Sequence, residues 1–406
     1  MPLAPYRRVL AIRAARQAIL LGILVRVPLF AGGVVLTLHV VSSLDRNYGQ
    51  AGLVTAGATT CIAISGPWRG RLLDRVGLRR VVLPSVVVNA ACWSVAPFAG
   101  YWPLFGLAAL TGLFAVPTFS IIRQAVITAV PESDRRTALA LDSVAVEISF
   151  MIGPIVGVWA ATTWTTSWVL FAIGMSEALA GLLLWLVNPV LTTETTPGQP
   201  VAPRRNLLGP RFLAVCAAAA AATIVLSGTD ISIVAALRTF HDSKLIGPVL
   251  SIWGLGSLIG GLVYGALHRA IPAFLLLAGL SAATVPMAFA PNSWTLAGLA
   301  FVAGVVCAPT ITATVDQLSR VVPETARGEA LGWHGSAMTT GSALGAPLAG
   351  VAIDWWGDGG GLVVVSALGF GVAVLGTAIS GRRPRARPAG LRAPAAALSA
   401  DSRQSA

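Results

Sequence analysis

Eight ionisable side chains lie inside long runs of apolar residues. A charge within a membrane span is costly, so such residues usually bind substrate, carry protons or pair with one another. A carboxylate in this setting can take up and release a proton, whereas an arginine stays charged at working pH. The eight are Arg26, His39, Asp142, Glu147, Glu177, Asp230, Asp316 and His334.

Three of these residues form the candidate proton or substrate site. We expect Glu147 to carry a proton, with an interhelix hydrogen bond as the alternative. Arg26, near the middle of its span, either binds an anionic substrate group or pairs with a carboxylate. Asp230 follows Ser227-Gly228-Thr229, a composition that predicts a local helix break lining a cavity. We assign no function to Glu177 from the sequence.

The elements that position these residues are predicted to be membrane-spanning helices. The chain is 55% apolar and 11% charged, with a mean hydropathy of +0.78, whereas soluble domains average about 25% charged residues. The apolar runs are long and do not alternate, which favours helices over a barrel. Twelve spans are predicted, at 17–43, 48–67, 81–100, 102–127, 137–162, 166–188, 211–236, 246–267, 270–290, 294–318, 328–353 and 361–380.

The distribution of basic residues predicts the topology. Most of the 28 lysines and arginines fall on one side of the membrane if the N-terminus is inside, which indicates that both termini are cytoplasmic. The same placement explains the net charge of +12 without nucleic-acid binding. We predict an N-terminal six-helix bundle at 1–188, a cytoplasmic linker at 189–209, a C-terminal six-helix bundle at 210–381 and a disordered basic tail at 382–406.

An internal repeat relates the two halves. Residues 130–139 read VPESDRRTAL and residues 322–331 read VPETARGEAL, and at the same offset Gly153 matches Gly345. A long-period repeat of this kind is typical of duplicated transporter halves. The fold class is therefore an all-α membrane protein of twelve transmembrane helices in two pseudo-symmetric bundles.

Four residues are expected to form pairs at the inner rim. Arg123 and Asp142 lie at the inner ends of adjacent predicted helices. In the second half, the repeat places His334 at the position of Asp142, and Asp316 at the position of Gln124, next to Arg123. A His–Asp pair can sense pH, and a purely structural pair is the alternative.

The loop after the second span carries a motif. It reads Gly70-Arg-Leu-Leu-Asp74-Arg75-Val-Gly77-Leu-Arg79-Arg80 and resembles the signature G-x-L-x-D-R-x-G-R-K/R-R/K of the major facilitator superfamily. The resemblance implies that Asp74 contacts the start of the eleventh predicted span, near 328–331, and that this contact stabilises the outward-facing state. A positive-inside loop without a gating role is the alternative.

The fifth span carries Gly153-Pro154-Ile-Val-Gly157. This element resembles the G-P-x-x-G sequence of drug-efflux antiporters of the same family, although simple helix packing explains it as well. Drug-efflux members carry an arginine in helix four where this chain has Ala108, which weakens the transfer of their proton mechanism.

These features predict a secondary transporter that exports a small, partly apolar solute in exchange for protons. Proton-coupled uptake of a metabolite is the alternative, and a membrane sensor or lipid-handling protein is the second. No P-loop is present, so a proton gradient rather than ATP is the expected energy source. We predict no enzymatic activity, cofactor or metal site. We expect a monomer in the lipid bilayer of a bacterial inner membrane, with a small-molecule substrate.

Overall fold

The structure, a computed structural model, describes residues 4–191, 209–267 and 269–381. Within these ranges the chain is helical, with short loops and 3-10 turns and no strand. The helices are α1 Ala4–Ala11, α2 Arg13–Ser42, α3 Tyr48–Val76, α4 Leu78–Val95, α5 Tyr101–Leu113, α6 Thr118–Ala129, α7 Arg135–Thr163, α8 Thr166–Val187, α9 Pro210–Thr239, α10 Ile246–Ala266, α11 Ala273–Thr284, α12 Ser293–Val321, α13 Arg327–Trp356 and α14 Asp358–Gly381.

The prediction of an all-α membrane protein is confirmed. Among the described residues, nine helical segments are long and apolar enough to cross a bilayer, and the segment Ala273–Phe289 is apolar but shorter. Helices α3 and α13 have 29 and 30 residues but are more polar. Every predicted span coincides with a helix or a pair of helices, while the count of twelve crossings and the side of the termini stay predictions. The predicted tail and most of the predicted linker lie outside the described residues.

One predicted span is interrupted. The run 102–127 was expected to be continuous, but α5 ends at Leu113 and α6 begins at Thr118. Pro117 lacks an N–H donor and disfavours helical geometry at the residue before it, which ends the helix there. Its repeat equivalent, Pro309, lies inside the unbroken α12.

The repeat is visible in the packing of the two halves. In the first half, Gly112 of α5 lies against the backbone of Ala58 in α3. In the second half, the equivalent Gly304 of α12 lies against the backbone of Trp253 in α10. Small residues of this kind allow membrane helices to approach closely. The shared contact supports two related bundles, formed by α2–α8 and α9–α14.

The two halves contact each other near the ends of α3, α7, α10 and α13 that are predicted to face the cytoplasm, which we call the inner ends. On α3 and α13, the backbone of Gly66 lies against Gly332, and the Ser336 hydroxyl donates to the Ala63 carbonyl at 2.6 Å. The inner end of the molecule is therefore closed.

Candidate functional site

The loop motif places a carboxylate at a helix N-terminus. Asp74, in the last turn of α3, accepts hydrogen bonds from the backbone amides of Gly328 at 2.9 Å and Glu329 at 2.8 Å. Because α13 begins at Arg327, these amides have no partner within the helix, and the helix dipole also favours an anion there. Asp74 thus joins the first half to the second.

Glycines make this contact close. Gly70 lies directly against the carbonyl of Gly328, where a β-carbon would overlap the backbone. Gly77 has a φ of +82° and forms the turn between α3 and α4, a conformation that glycine adopts without strain. Beside the contact between Asp74 and the start of α13, the Arg71 guanidinium lies 3.4 Å from the Glu329 carboxylate.

The remaining arginines of the motif lie at the surface of the first half. Arg75, Arg79 and Arg80 are exposed at the predicted inner surface. The Arg79 guanidinium lies 5.4 Å from the centre of the Trp185 ring of α8, so it packs within its own half.

A buried ion cluster occupies the inner half of the first bundle. The Asp142 carboxylate lies 2.7 Å from Arg26 and 3.6 Å from Arg123, and the three side chains are at most 6% exposed. Both guanidinium groups also lie over the ring of Phe119, at 4.9 and 5.7 Å from its centre. Of the two roles considered for Arg26, the structure shows the ion pair, and Arg26 does not join Glu147 in one site.

The expected Asp316–His334 pair is wrong. In the described part of the chain, Asp316 accepts a hydrogen bond from Arg320 at 3.1 Å, one turn along α12. The His334 Nε2 atom instead contacts the Thr314 hydroxyl at 2.9 Å. The residue at the depth of His334 in the membrane is Thr314, whereas Asp316 lies closer to the loop, where a partner on its own helix is within reach.

Glu147 links the two halves near the middle of α7. Its carboxylate accepts a hydrogen bond from the Ser257 hydroxyl of α10 at 2.9 Å, and its side chain is partly exposed. Asp230 of α9 is also partly exposed and lies within electrostatic range of Glu147. Their sequence positions alone do not indicate this proximity or the role of Ser257.

The break expected before Asp230 is not formed. Helix α9 runs without interruption from Pro210 to Thr239. The Thr229 hydroxyl donates to the Val225 carbonyl at 2.7 Å, so the polar group is satisfied inside the helix. Gly228 instead allows close packing of Val365 of α14 against α9, because a β-carbon at this position would overlap the Val365 side chain.

The Gly153-Pro154-Ile-Val-Gly157 element packs α7 against α2. A β-carbon on Gly153 would lie 2.8 Å from the Val27 carbonyl, and one on Gly157 would lie 3.1 Å from Val35. Pro154 is accommodated within the 29-residue α7. The geometry thus shows a tight helix contact next to the turn that carries Glu147.

Glu177 is turned away from the other half. Its carboxylate lies beside Gly32 of α2, at 3.3 Å from where a β-carbon would be. It is therefore an intramembrane carboxylate within the first bundle, remote from the contacts that join the halves.

The family follows from comparison with known proteins. A family model described as Major Facilitator Superfamily matches residues 18–272 and 213–403. The chain belongs to the major facilitator superfamily. Members of this superfamily are transporters of small molecules across a lipid bilayer, and the chain is accordingly a multi-pass secondary transporter rather than an enzyme.

Solved structures of superfamily transporters share the fold. A bacterial homologue of the iron transporter ferroportin, in the outward-facing state, is 17% identical with a TM-score of 0.74, covering 91% of this chain and 100% of that one. The human organic anion transporter MFSD10 (TETRAN) is 15% identical with a TM-score of 0.69, covering 90% and 99%. The E. coli fucose:proton symporter FucP is 13% identical with a TM-score of 0.65, covering 90% and 99%. No curated protein matches the chain.

Proposed function

We propose that this transporter exports a small, partly apolar solute in exchange for protons, and that Glu147 is the proton-carrying group. The observation that carries the proposal is the hydrogen bond from Ser257 to Glu147, which joins α7 of one half to α10 of the other. A carboxylate between moving halves can couple its protonation to their separation, because a neutral acid and a carboxylate make different hydrogen bonds.

The surroundings of Glu147 support a partly apolar solute. One turn along α7, the Met151 sulfur faces Gly254 of α10, at 3.9 Å from where a β-carbon would be. Trp253 lies next to Gly254 on the same helix. A site with few polar groups among apolar side chains is typical of small-molecule binding.

Export itself rests on the resemblance of Gly153-Pro154-Ile-Val-Gly157 to the element of drug-efflux antiporters. Proton-coupled uptake of a metabolite is the second candidate, since one fold serves either direction. The fucose:proton symporter FucP has a similar fold. We place the transporter in a bacterial inner membrane and expect it to act as a monomer.

The direction of coupling can be measured directly. A thermal-shift screen of lipophilic cations, anions and neutral compounds first identifies a stabilising solute. Proteoliposomes loaded with that solute and the pH dye pyranine are then diluted into solute-free buffer. Antiport acidifies the interior as the solute leaves, whereas symport makes it alkaline.

The Glu147→Gln variant tests the assigned residue. We expect it to lose the pyranine signal while it still exchanges labelled for unlabelled solute across the membrane. Glu177→Gln is the matched control, because that carboxylate lies within one half, and it should behave as the wild type.

Proton movement that persists in Glu147→Gln would remove this residue from the role. Interior alkalinisation would replace export with uptake. If no stabilising solute is transported at all, the sensor or lipid-handling alternative is favoured.

A further inference from the structure

The short helix α1 reaches from the first half to the second. Its buried face consists of Tyr6 and Val9, one turn apart. Val9 packs in the core of the first bundle, and Arg8 lies 3.1 Å from Asp134 at the start of α7. The Tyr6 hydroxyl donates a hydrogen bond to the carbonyl of Leu262 in α10, which belongs to the second half.

We propose that α1 is a second inner clamp, which holds the inner ends of α7 and α10 together while Asp74 holds α3 and α13. This inference concerns how alternating access is controlled, and it depends on neither the direction of transport nor the coupling ion.

Gly265 of α10 is enclosed by the proposed clamp. A β-carbon there would lie 2.7 Å from the Tyr6 hydroxyl and 2.5 Å from the β-carbon of Ala140 in α7. The Thr137 hydroxyl, in the first turn of α7, donates to the Gly265 carbonyl at 2.6 Å. Two hydroxyl donors from the first half therefore meet carbonyls in the last turns of α10.

The internal repeat explains why such a clamp is needed. Thr137 corresponds to Glu329 in the repeat, and the backbone amide of Glu329 is one of the two held by Asp74. The inner end of α10 and the residues after it, 261–269, keep glycines at 261 and 265 but have no aspartate. Donated hydrogen bonds from Tyr6 and Thr137 thus replace the accepted ones of Asp74, with the polarity reversed.

The chemistry of Tyr6 suits a permanent donor. Burial raises the pKa of its hydroxyl to about 12, so the group stays protonated at physiological pH. A tyrosine also buries a large rigid ring beside its hydrogen bond. The clamp is therefore expected to act equally at cytoplasmic pH values on either side of neutrality.

The test compares two tyrosines. Tyr6→Phe removes the hydroxyl that crosses between the halves and keeps the ring. Tyr101→Phe is the matched control, because the Tyr101 hydroxyl donates to the Gln50 carbonyl at 3.1 Å within the first half. Thr137→Val removes the second hydroxyl of the clamp with little change in shape.

The populations are measured by electron paramagnetic resonance on the full-length protein. Spin labels are placed at Val187→Cys and Val321→Cys, which are exposed at the inner ends of α8 and α12, after the four natural cysteines are replaced by alanine. The series is recorded with wild-type Asp74 and again with Asp74→Asn, so that the population open at the inner end reaches a measurable range.

A neutral hydrogen bond contributes enough that its loss should raise the ratio of inner-open to inner-closed molecules roughly two- to tenfold. We expect this rise for Tyr6→Phe and for Thr137→Val, and no change for Tyr101→Phe. Equal populations in Tyr6→Phe and Tyr101→Phe would overturn the proposal. A rise in Thr137→Val alone would also overturn it, because α1 would then contribute nothing.

Discussion

Replacement of Asp74 by asparagine tests whether the α3–α13 contact holds the inner end closed. In the structure the carboxylate accepts two backbone hydrogen bonds, at 2.9 and 2.8 Å. Hydrogen bonds to a charged group contribute roughly 1.5–3 kcal/mol each, and a neutral one about 1 kcal/mol. Asparagine keeps one acceptor oxygen and turns an NH₂ group towards the other amide, so one neutral bond remains.

The loss amounts to about 2–5 kcal/mol when two charged bonds become one neutral bond. Asp74 is partly exposed, and water screens part of the interaction, which favours the lower figure. Since each 1.4 kcal/mol is a factor of ten, the ratio of inner-open to inner-closed molecules should rise roughly 30-fold.

The assay is the labelling rate of a buried cysteine. Ser143 is 8% exposed and lies between the halves, with its hydroxyl 2.7 Å from that of Thr312. In a background without the natural cysteines, Ser143→Cys should react with a membrane-impermeant maleimide only when the inner end opens. The labelling rate should therefore follow the open population.

We expect Asp74→Asn to accelerate this labelling about 30-fold when the reagent is added on the inner side. Asp45→Asn, at an exposed aspartate in the loop between α2 and α3, should leave the rate unchanged. An unaltered rate in Asp74→Asn would refute the reasoning, because the two hydrogen bonds would then not hold the halves together.

Two further predictions concern stability. Asp142→Asn leaves the buried Arg26 charge without a carboxylate and should lower the free energy of unfolding by about 3–5 kcal/mol, measured by denaturation in detergent. Asp354→Asn, at an exposed site, should leave the free energy of unfolding unchanged. Equal stability of the two variants would contradict the ion-pair assignment. Gly260→Ala would place a β-carbon on the Val305 carbonyl and should destabilise the α10–α12 contact by about 1–3 kcal/mol. Gly371→Ala, with nothing within 4 Å, should be at least as stable as the wild type, and the same effect from both alanines would count against close packing at Gly260.

The helices were predictable because apolar runs of sufficient length have one solution in lipid. The neighbourhood of Asp74 was also within reach of the sequence, because the loop motif resembles that of a known family. The interruption between α5 and α6 was missed because equivalent prolines behave differently: Pro117 ends a helix, and Pro309 lies within one.

The partners of intramembrane charges were less predictable. Asp142 was expected to pair with Arg123, but its shorter contact is with Arg26 of α2. Which residue lies nearest depends on how each helix is rotated in the bundle, and an apolar run carries little information about that rotation. Helix α1 was not predicted, because its eight residues precede the first long apolar run and are too few to span a bilayer.

The contact between α3 and α13 has a consequence for how quickly the transporter changes state. Where Gly66 meets Gly332 and Gly70 meets Gly328, main chain packs against main chain, with the side chains of Ser336 and Asp74 beside the contact. The four glycines themselves have no side chains to interlock, so the two backbones can part once the hydrogen bonds of Ser336 and Asp74 break. The activation barrier for separating the two halves at this contact then comes from breaking the hydrogen bonds at its edge, and not from the repacking of side chains.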